Sequence, residues 1–201
     1  MGIVAVDLFT TLDGVYQAPG RPDEDPSGDF ELGGWQAPYA DKESGERIWA
    51  GIDRLDALLL GRRTYDIFAS YWPCQGDHPI AVKFNAVPKF VASRTLADPS
   101  WENATVISDL AGEVPALKER FEEVHVIGSG VLTRSLLAAD LVDRLNLYVY
   151  PVAFGVGKRL FDGALPAAFR LAEPPVAFPK GAVMLVYERD GTPVTGINID
   201  D

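Results

Sequence analysis

The 201-residue chain predicts an α/β domain: a mostly parallel central sheet, helices on both of its faces, and antiparallel strands at the C-terminal end. Three observations carry this. Short runs rich in Val, Ile, Leu and Phe (Ile3–Phe9, Asp56–Leu60, Lys89–Ser93, Ala104–Ile107 and Val124–Ile127) alternate with segments of helical periodicity. The first of these runs is apolar on both faces except for Asp7, as a strand covered on two sides must be. No helical pattern separates Phe169–Ala172 from Ala182–Glu188, so those late strands are expected to pair antiparallel with each other or with the strand before them. One domain over residues 1–189 and a loose polar tail over 190–201 are expected, with no repeat and no linker.

In chain order, Ile3–Phe9 is the first strand and Asp13-Gly14 marks a turn. Pro19–Gly34 is rich in Pro, Gly, Asp and Glu and reads as a long surface loop, the kind that often serves as a lid. Asp41–Arg54 is a helix with Ile48, Trp49, Ile52 and Leu55 on one side. Asp56–Leu60 is a strand, Gly61 follows, and Thr64–Ser70 is a helix with Tyr65 and Phe68 inward. Val82–Val87 is a short element of undecided type. Glu113–Phe121 is a helix. Val124–Ile127 enters the turn Gly128-Ser129-Gly130, and a helix follows towards Leu141. Leu145–Val152 is a long strand, with Leu145, Leu147 and Val149 on one face and Tyr148 and Tyr150 on the other. Phe154–Phe161 is a glycine-rich loop.

Composition excludes several classes. A net charge of −11 argues against nucleic acid and anionic membranes as partners. Met1-Gly2-Ile3-Val4 carries no basic region, no apolar run approaches a membrane span, and a cytoplasmic location is expected. Cys74 is the single cysteine, so neither an internal disulfide nor a cysteine-based zinc site is available. His78 and His125 stand 47 positions apart without metal-like neighbours, so no metal is expected. His125, inside an apolar strand, reads as a satisfied core or interface histidine.

The strand ends carry the chemistry. A strand that turns through glycine into a helix aims free N–H groups and a helix dipole at an anion, most often a phosphate. Bare glycines there let a pyrophosphate approach the backbone. Three strand ends offer such groups: Gly61, Arg62, Arg63 and Thr64; Ser93 and Arg94; and Gly128, Ser129, Gly130, Val131 and Leu132. Guanidinium forks match phosphates. Three such ends in an acidic chain point to a nucleotide with more than one phosphate group. Other chemistries fail on spacing. Gly157-Lys158-Arg159 lacks the upstream glycine and the Ser/Thr of a phosphate loop, and Gly128-Ser129-Gly130 is too short for a nucleophile elbow. Asp13 is the best single candidate for a catalytic acid, and an Asp-Gly turn explains it equally well.

Taken in order, Thr11-Leu12-Asp13-Gly14, Leu60-Gly61-Arg62-Arg63-Thr64-Tyr65, Ser93-Arg94, Ile127-Gly128-Ser129-Gly130, Leu141-Val142-Asp143-Arg144-Leu145 and Gly155–Phe161 resemble the dihydrofolate reductase superfamily. More narrowly they resemble the C-terminal reductase domain of the bifunctional riboflavin-biosynthesis deaminase–reductase and its stand-alone relatives, over about Ile3–Glu188. The resemblance implies a dihydrofolate reductase-like domain, usually a homodimer, that binds NADPH. It implies that Gly61–Thr64 and Gly128–Leu132 hold the phosphates and that Ser93 and Arg94 lie near the adenosine 2′-phosphate. The implied activity is NADPH-dependent reduction of a small heterocyclic or ribose-derived substrate, similar to that of 5-amino-6-(5-phosphoribosylamino)uracil reductase. A dihydrofolate or pteridine reductase and a non-catalytic NADP(H)-binding dimer are the alternatives. No deaminase half is expected, because one cysteine cannot supply its zinc ligands.

Departures bear on the substrate. Dihydrofolate reductase uses a carboxylate on its first helix. Asp41, Glu43, Glu46 and Asp53 occupy the comparable region outside any copy of that motif and read as a solvated face. Lys158 and Arg159 are candidates for a substrate phosphate, beside the plainer reading of a solvated loop. The dimer is expected through Tyr148 and Tyr150, with Val183, Leu185 and Tyr187 from the last strand.

Overall fold

The computed structural model describes residues 1–163 and 166–198. Its strands are β1 (Ile3–Thr11), β2 (Ala57–Gly61), β3 (Lys89–Ala92), β4 (Ala104–Ile107), β5 (Glu123–Ile127), β6 (Arg144–Tyr150), β7 (Phe169–Leu171), β8 (Val176–Ala177) and β9 (Val183–Arg189). They form one sheet in the order β4-β3-β2-β5-β1-β6-β9-β7, with β8 also on β9. From β4 across to β6 every pairing is parallel. β9 runs antiparallel to β6, β7 and β8. The expected architecture is therefore the one the chain adopts. The helices are α1 (Lys42–Arg54), α2 (Arg62–Tyr71), α3 (Pro79–Ala86), α4 (Leu110–Arg120) and α5 (Gly130–Ala138).

Strand alternation divides the core between two layers. Val4, Val6 and Leu8 of β1 pack with Val114 and Leu117 of α4 and Leu132 and Leu136 of α5. On the other face, Leu58, Leu60 and Val91 pack with Tyr65 of α2 and Phe84 of α3. Ala5, Asp7 and Phe9 point to this second side by alternation, and so does His125, which sits opposite Ala5 in the β1–β5 register.

Local chemistry sets the helix ends. Asp41 caps α1: its carboxylate accepts from the Ser44 N–H at 2.8 Å while the Ser44 hydroxyl accepts from the Asp41 N–H at 3.2 Å. The undecided element is α3, with Pro79 in its first turn, where a missing N–H costs nothing. α4 begins at Leu110, three residues before the expected Glu113. Glu113 instead reaches back from inside the helix, its carboxylate accepting from the N–H groups of Ser108 and Asp109 at 2.9 and 2.8 Å.

Three expectations are corrected. The segment 19–34 is not simply a surface loop, for Phe30 within it and Gln17, Ala18 and Trp35 at its ends are buried. The Gln17 side-chain amide donates to the Asp25 and Ser27 carbonyls, both at 2.8 Å, and the Trp35 indole donates to the Gln17 carbonyl at 2.8 Å. These bonds fold the segment onto the sheet. In consequence Tyr148 and Tyr150 are covered by their own chain. Trp35 meets Tyr150 edge-on at 5.4 Å and Phe9 stacks on Tyr148 at 5.0 Å, so neither tyrosine is surface for a partner. The expected loose tail starts tied down, since Ala168 and Gly191 share a hydrogen bond of 3.0 Å; its positions 199–201 lie outside the described residues.

Candidate active site

β4, β3, β2 and β5 are neighbours, so their C-terminal ends lie side by side. In an open parallel sheet that is where ligands bind. A cleft of about 700 Å³ opens there. It is lined by all the expected phosphate-binding residues except Gly128: Gly61, Arg62, Arg63, Thr64, Ser93, Arg94, Ser129, Gly130, Val131 and Leu132. The ends of β2 and β5 are stitched together where the Gly61 N–H donates to the Ser129 hydroxyl at 3.0 Å. Gly128 and Ser129 are both left-handed, with φ of 61° and 51°. For Ser129 that conformation is uncommon, and it turns the chain sharply into α5.

Gly130 is needed for a reason other than the expected one. A Cβ there would fall 2.2 Å from the Tyr16 ring. The bare Cα makes room for a side chain of the protein, which lays Tyr16 across the N-terminus of α5. Tyr16 is half-buried, and burial pushes its phenol up, so it stays a hydroxyl donor across the physiological range.

Charges line this cleft unevenly. Arg62 is held along α2 by Asp66, with 2.9 Å to each carboxylate oxygen. Arg63 donates to the Ser27 hydroxyl at 2.8 Å and lies 3.3 Å from Asp25. Lys158 donates to Asp25 at 2.5 Å and to Ser27 at 2.6 Å. Asp25 thus sits between two cations. Burial opposes its ionisation, but hydrogen bonds from Lys158 and Ser27 outweigh that and lower its pKa. The Ser93 hydroxyl accepts from the Thr95 and Leu96 N–H groups at 3.2 and 3.1 Å, closing the turn that presents exposed Arg94 at the rim. Sequence reasoning missed Tyr16, Asp25 and Ser108–Leu110 as lining residues. The last lie at the β4–α4 junction, hidden because the helix start was placed too late.

A second cleft, of about 430 Å³, adjoins the first; Tyr16, Asp25, Arg63, Thr64 and Ser129 line both. Its floor is the sheet: Asp7 and Phe9 of β1, Ile127 and Gly128 at the end of β5, and Tyr148 of β6. Ile48 and Ile52 of α1 form one wall, and Ile67, Phe68 and Tyr71 of α2 another. Residues 16–21 and Glu24 form the rim. No α1 carboxylate lines it: Asp41 is spent on its cap, and Glu43, Glu46 and Asp53 are exposed, as their reading as a solvated face requires. Arg21 stacks over Tyr71 at 4.6 Å.

The carboxylate on this floor comes from β1 instead. Asp7 accepts from the Asn146 amide at 2.9 Å and faces the His125 Nδ1 at 2.6 Å. The other ring nitrogen of His125 faces Glu123 at 3.0 Å. Burial works against charge on the ring, but the flanking carboxylates prevail and hold its pKa up at about 9. Both ring nitrogens therefore carry hydrogens at neutral pH. His125 is a satisfied core histidine, as expected, and its principal partner is a cleft residue.

Asp13 is placed otherwise than expected. Its carboxylate accepts from the Thr11 hydroxyl at 2.6 Å, the Phe154 and Gly155 N–H groups at 3.2 and 2.8 Å, and Arg159 at 2.9 Å. The Thr11 bond leads in holding it well below the usual carboxylate range, although burial opposes this. Asp13 is in neither lining. It clamps the turn after β1 to the glycine-rich loop. Arg159 is spent in the same clamp. Among the described residues no cluster of three or more His, Cys, Asp or Glu is placed to hold a metal, and no helix is long and apolar enough to cross a membrane.

The mostly parallel sheet with antiparallel strands at its C-terminal end is that of a dihydrofolate reductase-like domain. The dihydrofolate reductase of Enterococcus faecalis, solved with NADP(H), superposes with a TM-score of 0.58 at 18% identity, over 94% of this chain and 97% of that one. A Shewanella sp. PV-4 protein described as a riboflavin biosynthesis protein gives 0.68 at 22% identity, over 94% and 99%. The Thermotoga maritima diaminohydroxyphosphoribosylaminopyrimidine deaminase/5-amino-6-(5-phosphoribosylamino)uracil reductase gives 0.61 at 18%, over 94% of this chain and 57% of that one. The family is identified by sequence: residues 3–174 match the RibD C-terminal domain, and the chain belongs to that family. It is a reductase-type domain akin to that of the riboflavin pathway.

Proposed function

We propose that this protein is an NADPH-dependent reductase that holds the dinucleotide in the larger cleft and a small ring-shaped substrate in the smaller one. The observation that carries the reading is the shared wall: Tyr16, Thr64 and Ser129 line both clefts, so a group at the end of one reaches a ring in the other. When bound, the cofactor supplies a hydride. The protein's part is to bind and orient. N–H groups at Gly61–Thr64 and Gly128–Leu132 take the phosphates, and Ser93 and Arg94 take the 2′-phosphate. NADPH fits these residues because exposed Arg94 adds a cation that a pyrophosphate alone does not need.

The substrate side favours a flat, weakly charged ring. Phe9, Phe68, Tyr71 and Tyr148 offer aromatic surface, and Asp7, Glu24 and Asp25 offer acceptors and negative charge. Asp25 is already paired with Lys158 and Arg63, so what argues for a heterocycle other than dihydrofolate is that no α1 carboxylate lines the cleft. A cytoplasmic homodimer belongs to the same reading. With Tyr148 and Tyr150 covered, the supporting surface is the half-buried pairs Leu147–Leu185 and Val149–Val183 across β6 and β9. Light scattering at twice the 21.8 kDa chain mass is the expected result, and a monomer mass across micromolar concentrations removes the dimer.

The test of the activity is to incubate the protein with NADPH and a panel of pteridines, riboflavin precursors and quinones, following nicotinamide absorbance. NADPH oxidation with one ring substrate is expected, with dihydrofolate at least about a hundredfold slower than that substrate, the scale of a misplaced proton donor. Binding of NADPH without any oxidation favours the non-catalytic dimer instead.

A further inference from the structure

The reductase reading leaves one thing unexplained: a charged row that runs through the buried sheet and opens into an aromatic cleft. Asp7 is the carboxylate on the sheet floor of the smaller cleft. Behind it lies His125, 1% exposed at its side chain, at 2.6 Å. Behind His125 lies Glu123 at 3.0 Å, 20% exposed, in reach of Arg54 at 3.5 Å and Arg144 at 3.9 Å. The row follows α1, whose Ile48 and Ile52 line the cleft at one end while Arg54 meets Glu123 at the other. Charges buried for stability alone are rarely worth their desolvation. A fold could close this stretch of sheet with aliphatic side chains, as it does at Val4, Val6, Leu58 and Leu60.

We propose that Asp7 gives the substrate its proton and that His125, held by Glu123, is the reservoir that supplies Asp7. This rests on the reductase reading above. In the step, a ring C=X bond, with X nitrogen or oxygen, accepts at carbon the hydride of the reduced nicotinamide. The π pair moves to X; the ionised Asp7 carboxylate takes the Nδ1 proton of His125 and passes it on to X in the same step, leaving a neutral imidazole with its hydrogen on Nε2, towards Glu123. Solvent restores the missing proton by way of part-exposed Glu123. The nicotinamide is oxidised, the substrate is reduced by two electrons, and one proton is consumed. Asp7 is the catalytic residue; His125 and Glu123 act through it.

The groups that set the reservoir come from four elements: Asp7 from β1, Glu123 from β5, Arg54 from α1, and Arg144 from β6, with Asn146 and Tyr148 of β6 beside Asp7. With the ring's pKa held at about 9, the reservoir is filled at neutral pH and empties above it.

The experiment compares wild type, Asp7→Asn and Glu123→Gln with NADPH and the panel substrate that wild type reduces. His125 is followed by nitrogen NMR, His78 being the only other histidine. Asp7→Asn is expected to lower kcat by about a hundredfold or more while the NADPH Kd stays within about twofold. In Glu123→Gln, the basic limb of the kcat–pH profile and the His125 titration are expected to move to lower pH together. A basic limb that stays in place while the His125 titration moves, or an Asp7→Asn kcat within about threefold of wild type, overturns the proposal and leaves the reductase reading intact. A wild type that oxidises NADPH with no panel member overturns the reading, and the proposal with it.

Discussion

The two clefts share a wall but are built by different means. The larger is built mainly on three turns, each a strand end running into a helix start or a tight loop, whose N–H groups and flanking arginines lie within a few residues of one another in the chain; Tyr16, Asp25 and Lys158 join them from elsewhere. The smaller is made of side chains from distant elements. Asp7 and Asn146 are 139 residues apart, and Asp7 and His125 are 118 apart; only the β5-β1-β6 order brings them together. A backbone site tolerates side-chain substitution and fails by degrees. A side-chain site coupled to buried charge fails together with the fold.

That contrast can be broken by experiment. The largest effect is expected for His125→Ala, which leaves Asp7 and Glu123 without the cation between them. Loss of one member of a buried ionic group costs roughly 3–5 kcal/mol, and urea unfolding at pH 7 measures it. The wild type carries a related signature. His125 has its pKa raised on folding from its ordinary value to about 9, so the native state binds the extra proton. Its contribution is fully present below about pH 6.5 and is lost as pH rises through about 9, on the order of 3 kcal/mol in all. Unfolding series from pH 6 to 10 should show this decline in wild type and not in His125→Ala. An unchanged slope would mean that the ring is neutral in the native protein.

On the other side of the wall the effect should be smaller and confined to binding. Arg94→Ala should leave unfolding unchanged, because Arg94 is exposed at the rim. It should remove most of an NADPH-over-NADH preference of about tenfold, ~1.4 kcal/mol by calorimetry. If Arg94→Ala instead costs fold stability, or His125→Ala costs none, the distinction between the two clefts is false.

The same contrast explains what could be read from the sequence. The phosphate-type turns were legible because local pattern suffices: an apolar run, a glycine, then a helical stripe. The β4–α4 end escaped because Glu113 and Pro115 resemble a helix start, while the true start is closed by Glu113 reaching backward. Asp7 was visible only as an odd polar residue in an apolar strand and His125 only as a core histidine. Nothing local announces that one holds the other. Tyr148 and Tyr150 were assigned to the correct face, but what covers that face is Trp35, far away in sequence, carried there by a segment whose composition suggests solvent. Asp13 illustrates the reverse error. A carboxylate beside a glycine turn near the strand ends has the right address for catalysis, yet Thr11 and the loop at 154–159 occupy it with four hydrogen bonds.

The position of Asp25 has a consequence for how anions are sorted. With Lys158 on one side and Arg63 on the other, it acts as a resident counter-ion, so the larger cleft is already part-neutralised before any ligand arrives. Chloride or acetate entering there gains little, since one negative charge merely duplicates what the carboxylate supplies. A doubly charged phosphate brings more than the incumbent and can draw both cations towards itself. On the proposed phosphate-binding reading, the cleft would favour a doubly charged anion over a singly charged one, and its occupancy should fall less steeply with added salt than its tally of basic side chains would suggest.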